Sequence, residues 1–303
     1  MIKTALLYMS EQPKLQHLAM RMELSRRTAR RFVAGETIQE AVEAISRLND
    51  QGFSATIDYL GENVSSENDA LRATNEYLQA LDEIQKKSAD SNVSLKLTQF
   101  GLSIHEEMTS ANVERVVLRA RDYNNFVRID MEGSPYTDST LRIFRSLRQK
   151  YENVGIVVQA YLYRTEKDIE DLLQLKSRIR LCKGAYKEPP TIAFKKKIDT
   201  DRNYIQLMKI LLKSGIYHGI ATHDPAMIQA TKKFAKTERI ANEQFEFQML
   251  YGIRRDLQSQ LIHEGYKLRV YVPYGEEWYS YLMRRMAERP ANLFFVVRNL
   301  FRG

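Results

Sequence analysis

The sequence predicts an α/β fold of the (β/α)8 TIM-like barrel kind with an N-terminal helical arm. Short β-rich runs alternate with longer amphipathic runs from about residue 52 onward. There are eight of the short runs, and they recur about 25 to 40 residues apart. Eight such alternations favour a closed barrel over the alternative, an open doubly wound sheet.

Residues 1–51 contain no convincing strand. EQPKLQHLAMRMELSRRTARRF and TIQEAVEAISRLN both have helical periodicity, with Gly35 between them, and are expected to form an arm packed on the barrel. The barrel itself is assigned to residues 52–303. Its strand runs are SATIDYLG (54–61), VSLKLTQFG (93–101), FVRIDMEG (126–133), VGIVVQAYL (154–162), RIRLCKG (178–184), HGIATHD (218–224), FEFQMLYG (245–252) and LRVYVPYG (268–275). Each is rich in β-branched, aromatic or alternating residues. Between them, ENDALRATNEYLQALDEIQKK, TSANVERVVLRARDY, DSTLRIFRSLRQK and EKDIEDLLQLK are amphipathic, several opened by Ser, Thr or Asp where a helix needs an N-cap. No Pro/Gly/Ser linker, low-complexity tract or further repeat interrupts the alternation.

A chain of 303 residues with 44% hydrophobic residues is long and apolar enough to bury a large core. Its longest apolar stretch is far short of the ~20 residues that span a bilayer, and MIKTALLYMSEQ is no secretory signal. A cytoplasmic protein is expected. The single cysteine, Cys182, excludes an internal disulfide framework and a cysteine-based metal site. A formal charge of +8 suits contact with polyanions, anionic substrates or the inner face of an anionic membrane. RRTARR (26–31) and KKK (195–197) lack the interleaved aromatics of a single-strand platform, so no nucleic-acid partner is expected.

Barrel strands carry functional groups at their C-terminal ends. The residues collected there are Asp58 and Glu62, toward which the first strand ends, Lys96, Asp130, Gln159, Arg180 with Lys183, and Thr222 with His223. Alternation in FVRIDMEG puts Val127 and Ile129 on one face and Arg128 and Asp130 on the other, so an inward Asp130 requires nearby cations. His218 and His223 are five apart and share no strand face, which is poor geometry for one metal, and no metal is expected. No GxSxG elbow, GxxxxGK[ST] loop or GxG pair is present. In YSYLMRRMAER (279–289), Arg284 and Arg285 interrupt an apolar helical stripe and can share a broad face with Tyr281 and Glu288. Two readings fit: cations solvated near a helix C-terminus, or a carboxylate clamp.

Two strings are specific enough to name a family. RLCKGAY (180–186) and YLMRRMAE (281–288), with LKLTQFG, RIDMEGS, VQAYLYR, ATHDP, FEFQMLYG and RVYVPYG in the same order, resemble the short bacterial monofunctional proline dehydrogenases over almost the whole chain. Cys182 departs from the aliphatic residue frequent there. The resemblance implies a barrel holding FAD noncovalently and oxidising L-proline to Δ1-pyrroline-5-carboxylate, with electrons passed to a quinone or another acceptor. It assigns catalytic roles to Asp130 and Arg180, and proline binding to Lys96, Arg284, Arg285, Tyr271 and Tyr281. Cofactor contacts fall on Met131, Gln159, Lys183, Gly184, Ala185, Thr222 and His223, with Glu62, Glu288 and Tyr186 in support behind them. A related cyclic imino acid such as hydroxyproline stays open as substrate, and the contrasting class is a basic nucleic-acid-binding or scaffold protein that keeps the barrel without its cofactor.

Overall fold

The computed structural model describes residues 29–61 and 64–288, the side chains at 284 and 286–288 excepted. The first predicted helix falls largely outside the described residues, and Glu62 does so entirely. The second is helix α1, Ile38–Asn49. Its start is set by a capping box: the Thr37 hydroxyl accepts from Glu40 N, and the Glu40 carboxylate accepts from Thr37 N at 3.2 Å. Such a cap contributes about 1 kcal/mol.

Parallel strands then alternate with helices: β1 (Ser54–Tyr59), α2 (Glu67–Lys86), β2 (Ser91–Leu95), α3 (Glu106–Asp122), β3 (Val127–Ile129), α4 (Thr137–Lys150), β4 (Val154–Gln159) and α5 (Thr165–Gln174). The second half continues with β5 (Ile179–Cys182), α6 (Lys197–Lys213), β6 (His218–Ala221), α7 (Pro225–Thr237), β7 (Phe245–Leu250), α8 (Arg255–His263), β8 (Leu268–Tyr274) and α9 (Trp278–Glu288). The strands close in sequence order, β8 pairing back onto β1.

Most strands have one apolar face and one that carries polar side chains; β6 is an exception, with only Gly219 and Ala221 on its inner face. Ile57 stands beside both Val93 and Val272, Val93 beside Val127, and Ile220 beside Phe247, all buried under the helices. The opposite face points into the barrel, where Ser94 aligns with Arg128, Val157 with Arg180, and Gln248 with Arg269. A barrel interior is usually filled by branched aliphatics; this one carries ions, and must therefore pair them.

The second predicted strand run is too long. Pairing stops at Leu95, and Leu97–Phe100 forms a 3-10 turn closed by Gly101 at φ 100°. Side chains draw the segment sideways: Thr98 N donates to Glu132 Oε2 at 3.1 Å and the Gln99 amide to the Tyr59 carbonyl at 2.7 Å. The MEG, KG and THD ends of other runs likewise lie beyond their strands.

Helix α1 packs against β1 and β8, taking a place in the outer ring. The last helix is thereby left to pack elsewhere. Trp278, Tyr279, Tyr281, Leu282 and Met283 of α9 form an apolar cluster with Phe32, Val33, Leu60 and Ile253, at the C-terminal ends of β1 and β7. The connection is tied by Gly275 N to the Gly35 carbonyl at 3.0 Å, and by Trp278 Nε1 to Glu36 at 3.1 Å. Among the described residues, no helix is long and apolar enough to cross a membrane.

Candidate active site

Asp130 follows β3 directly and faces inward, as its alternation requires. Arg180 of β5 donates from Nη1 to Asp130 Oδ1 at 2.8 Å, and Ser94 of β2 donates to the same oxygen at 2.7 Å. Tyr271 of β8 donates its hydroxyl to Asp130 Oδ2 at 2.8 Å. Burial and the neighbouring Asp130 push the Tyr271 hydroxyl well above its ordinary pKa, so it stays a donor. The Tyr271 ring also lies under the Arg180 guanidinium, 5.1 Å from Cζ to centroid. One aspartate, one arginine and one tyrosine from three strands thus form a single unit.

Arg180 is aimed by a second contact, from Nε to Gln248 Oε1 on β7. The Gln248 amide in turn donates to Glu246, which Arg269 grips at 2.9 and 3.1 Å. Although burial works against its charge, Arg269 holds Glu246 below its ordinary pKa. Gly219 makes room for this chain, since a Cβ there would meet Gln248 Nε2 at 2.5 Å. Ser94, Glu246 and Gln248 were not singled out from sequence. The signal for Glu246 and Gln248 was present as the alternation of FEFQ, and that for Ser94 as the alternation of VSLK, but their partners lie across the barrel.

Beside this unit is a second ion pair. Lys96 Nζ binds Asp58 of β1 at 2.8 and 3.0 Å, with the Asp58 side chain only 1% exposed. Tyr77 of α2 stands behind it, donating to the Ser94 carbonyl at 2.9 Å and reaching Asp58 at 3.5 Å. Lys96 was predicted as a substrate contact, and the aspartate that holds it was collected without a role.

The expected cofactor contacts gather at the same mouth. Gln159 donates to the Glu132 carbonyl at 2.9 Å, and Met131 is buried next to it. Thr222 accepts from Asp224 N at 3.0 Å, while His223 Nε2 accepts from Leu250 N at 2.9 Å, so the neutral ring carries its proton on Nδ1. Gly184 has φ +109°, and a Cβ there would lie 2.3 Å from the Tyr161 ring. Its lack of a side chain is therefore first a requirement of packing on Tyr161. Ala185 and Tyr186 are exposed beyond it.

Lys183 is held by two carboxylates, Asp201 and Asp224, the latter at 2.7 Å; Lys197 binds the same two. Burial alone would raise the Asp224 pKa, but Lys183, Ala226 N and Lys197 hold it down to about 2 against an ordinary 3.8. A depressed carboxylate contributes stability above its unfolded pKa and loses it as pH falls through the folded one. For Asp224, 22% exposed, this is about 2 kcal/mol, lost between pH ~4 and ~2. Asp224→Asn keeps the helix cap and is expected to give a shallower fall of Tm over that window, read by thermal melts.

On α9, Tyr281 is buried and Arg285 half-buried, the guanidinium 5.3 Å from the Tyr281 ring centroid. The side chains of Arg284 and Glu288 lie outside the described residues. His218 is remote from this mouth. It is buried at the start of β6, accepting from Ile179 N at 3.0 Å and facing Ser214 Oγ at 2.9 Å, and burial lowers its pKa to about 3. Among the described residues no cluster of His, Cys, Asp and Glu could hold a metal ion. Burial pushes the Cys182 thiol up to about 12, leaving it a small apolar filler.

A closed parallel barrel that converges paired ions at its strand C-terminal ends is the architecture of a barrel enzyme. The family model described as proline dehydrogenase matches residues 41–298. The chain belongs to the proline dehydrogenase family, a family of oxidoreductases. It is 45% identical over 302 residues to proline dehydrogenase 1 of Bacillus subtilis subsp. natto, covering 100% of both chains. To proline dehydrogenase of Deinococcus radiodurans it is 40% identical, covering 99% of this chain and 98% of that one. Among solved structures, proline utilization A of Bdellovibrio bacteriovorus inactivated by N-propargylglycine superposes with a TM-score of 0.83 at 26% identity, over 87% of this chain and 33% of that one.

Proposed function

We propose that this chain oxidises L-proline to Δ1-pyrroline-5-carboxylate with FAD held at the C-terminal mouth, the first step in degrading proline to glutamate. The observation that carries this reading is the Asp130–Arg180–Tyr271 unit beside Lys96–Asp58, next to the helix bearing Tyr281 and Arg285. FAD fits the donor set there: the Arg180 guanidinium and Gln159 amide suit the polar edge of a flavin, and Thr222 and His223 supply neutral polar contacts. Lys183 suits the pyrophosphate less well than its charge suggests, because Asp201 and Asp224 already balance it. Bound FAD supplies the acceptor for the hydride lost from proline C5.

The chain's own residues bind and orient. Lys96, Arg284 and Arg285 take the proline carboxylate; planar guanidinium forks match it in two directions. Tyr281 walls the pyrrolidine ring, and Tyr271 keeps Asp130 and Arg180 in register. Arg180 would donate to the edge of bound FAD and favour the negative charge that the flavin gains with the hydride. Proline's amine loses its proton before the carbon–nitrogen double bond forms, so the rate rises with pH through the mildly alkaline range. The electrons pass on to a quinone or another carrier, and the chain's +8 charge suits approach to an anionic membrane surface.

The test is direct. Purified protein is expected to be yellow or to become so on loading with FAD, and anaerobic proline is expected to bleach it. Protein that takes up no FAD, or a flavin that proline leaves oxidised, overturns this reading.

A further inference from the structure

The opposite, N-terminal mouth of the barrel holds a polar cavity of about 150 Å3, lined in part by three arginines, Arg128, Arg178 and Arg269, with Tyr217 and two carboxylates, Glu246 and Asp90. This volume exceeds the ~30 Å3 share of one water several times over, enough for a small polyatomic ion. Arg128 is built into it from β3. Its side chain is buried, at 3% exposure; Nη1 donates to the carbonyls of Ile156, at 3.4 Å, and Arg178, and Nε meets no acceptor. Among the described residues no carboxylate comes within ion-pair reach of it. Glu246, which lies in the same cavity wall, is already engaged by Arg269, by the Tyr217 hydroxyl at 3.0 Å and by Gln248.

A buried cation with no carboxylate bound to it is costly: burial, with Arg180 and Arg269 nearby, lowers the Arg128 pKa to about 9, although Glu246 and Asp130 favour its charge from a distance. The surroundings nevertheless accommodate it. Phe126 lies 4.9 Å from the Arg128 guanidinium and 5.3 Å from that of Arg178, so one ring carries both cations. Gly155 leaves the space open: a Cβ there would lie 2.7 Å from Arg128 Nη1 and 2.5 Å from the Arg178 carbonyl. Arg178 is exposed at the rim, its guanidinium also 5.8 Å from the Tyr217 ring.

We propose that this mouth binds a small oxyanion, a phosphate or a carboxylate, as the counter-charge of Arg128, with Arg178 closing on it from the rim. The layer of Glu246 and Gln248 separates it from the cluster at the other end of the barrel.

The experiment melts FAD-loaded protein, with proline saturating the C-terminal site, in sodium phosphate, sodium acetate or sodium chloride at equal ionic strength and neutral pH. A ligand bound only by the folded state raises Tm along a saturating curve. Phosphate or acetate is expected to raise Tm above the chloride control, and whichever salt does so identifies the anion. Arg178→Gln, an exposed substitution that leaves the buried packing intact, is expected to weaken the half-saturating concentration about tenfold. Equal melting in all three salts, or an undiminished response in Arg178→Gln, overturns the proposal.

Discussion

Arg180→Met is expected to lower the rate at which proline reduces the flavin by about 10²–10³-fold, the usual loss when one aimed donor is removed from a developing charge. The geometry makes the effect specific. Arg180 is fixed at both edges of its guanidinium, Nη1 on Asp130 and Nε on Gln248, with Tyr271 against its face. Met fills similar volume but donates to none of these. Asp130 keeps the Ser94 and Tyr271 hydroxyls, at 2.7 and 2.8 Å, so its charge is not wholly stranded and the fold is expected to survive. Anaerobic stopped-flow measurement separates the outcomes. A rate within about threefold of the parent, with flavin retained, removes Arg180 from the chemistry. Arg180→Lys restores the charge without the fork and is expected to recover little.

The second large effect belongs to Lys96→Met. Removing Lys96 leaves Asp58, 1% exposed, without its cation; breaking such a pair costs roughly 3–5 kcal/mol. A drop in Tm on the order of 10 °C follows for a chain of this size. If Lys96 also holds the proline carboxylate, the Kd for proline rises about 10- to 100-fold, the worth of one charge-assisted hydrogen bond. The double variant Asp58→Asn with Lys96→Met distinguishes structure from binding. It is expected to recover most of the lost Tm, because no unpaired charge remains, and none of the lost affinity. Recovery of both makes Lys96 purely structural.

These effects also mark what was legible beforehand. The period of FVRIDMEG placed Asp130 opposite Val127 and Ile129, and burial required a cation; Arg180 answers at 2.8 Å. All eight strand runs contain strands and close in order, but several were drawn too long. The run through Lys96 ends early because Glu132 and Tyr59, contacts 34 and 40 residues distant, redirect Thr98 and Gln99. Lys183 was expected among the cofactor contacts, and its neutralisation by Asp201 and Asp224 was not legible because they lie 18 and 41 residues further on.

Alternation and helical period are local properties of the backbone, so the sequence by itself determined which side chains share a face and how many β-α units there are. It also placed Asp130, Arg180 and Lys96 at strand ends. Closure of the barrel alone decided that Gln248 aims Arg180, that Tyr271 binds Asp130, and that Asp58 answers Lys96. Packing likewise decided the place of α9: α1 occupies the outer ring beside β1 and β8, and α9 buries Trp278 and Tyr281 against Phe32, Leu60 and Ile253 instead. The physical reason is the same throughout: a buried charge must find a partner in space, and that partner is chosen by the fold, not by proximity along the chain.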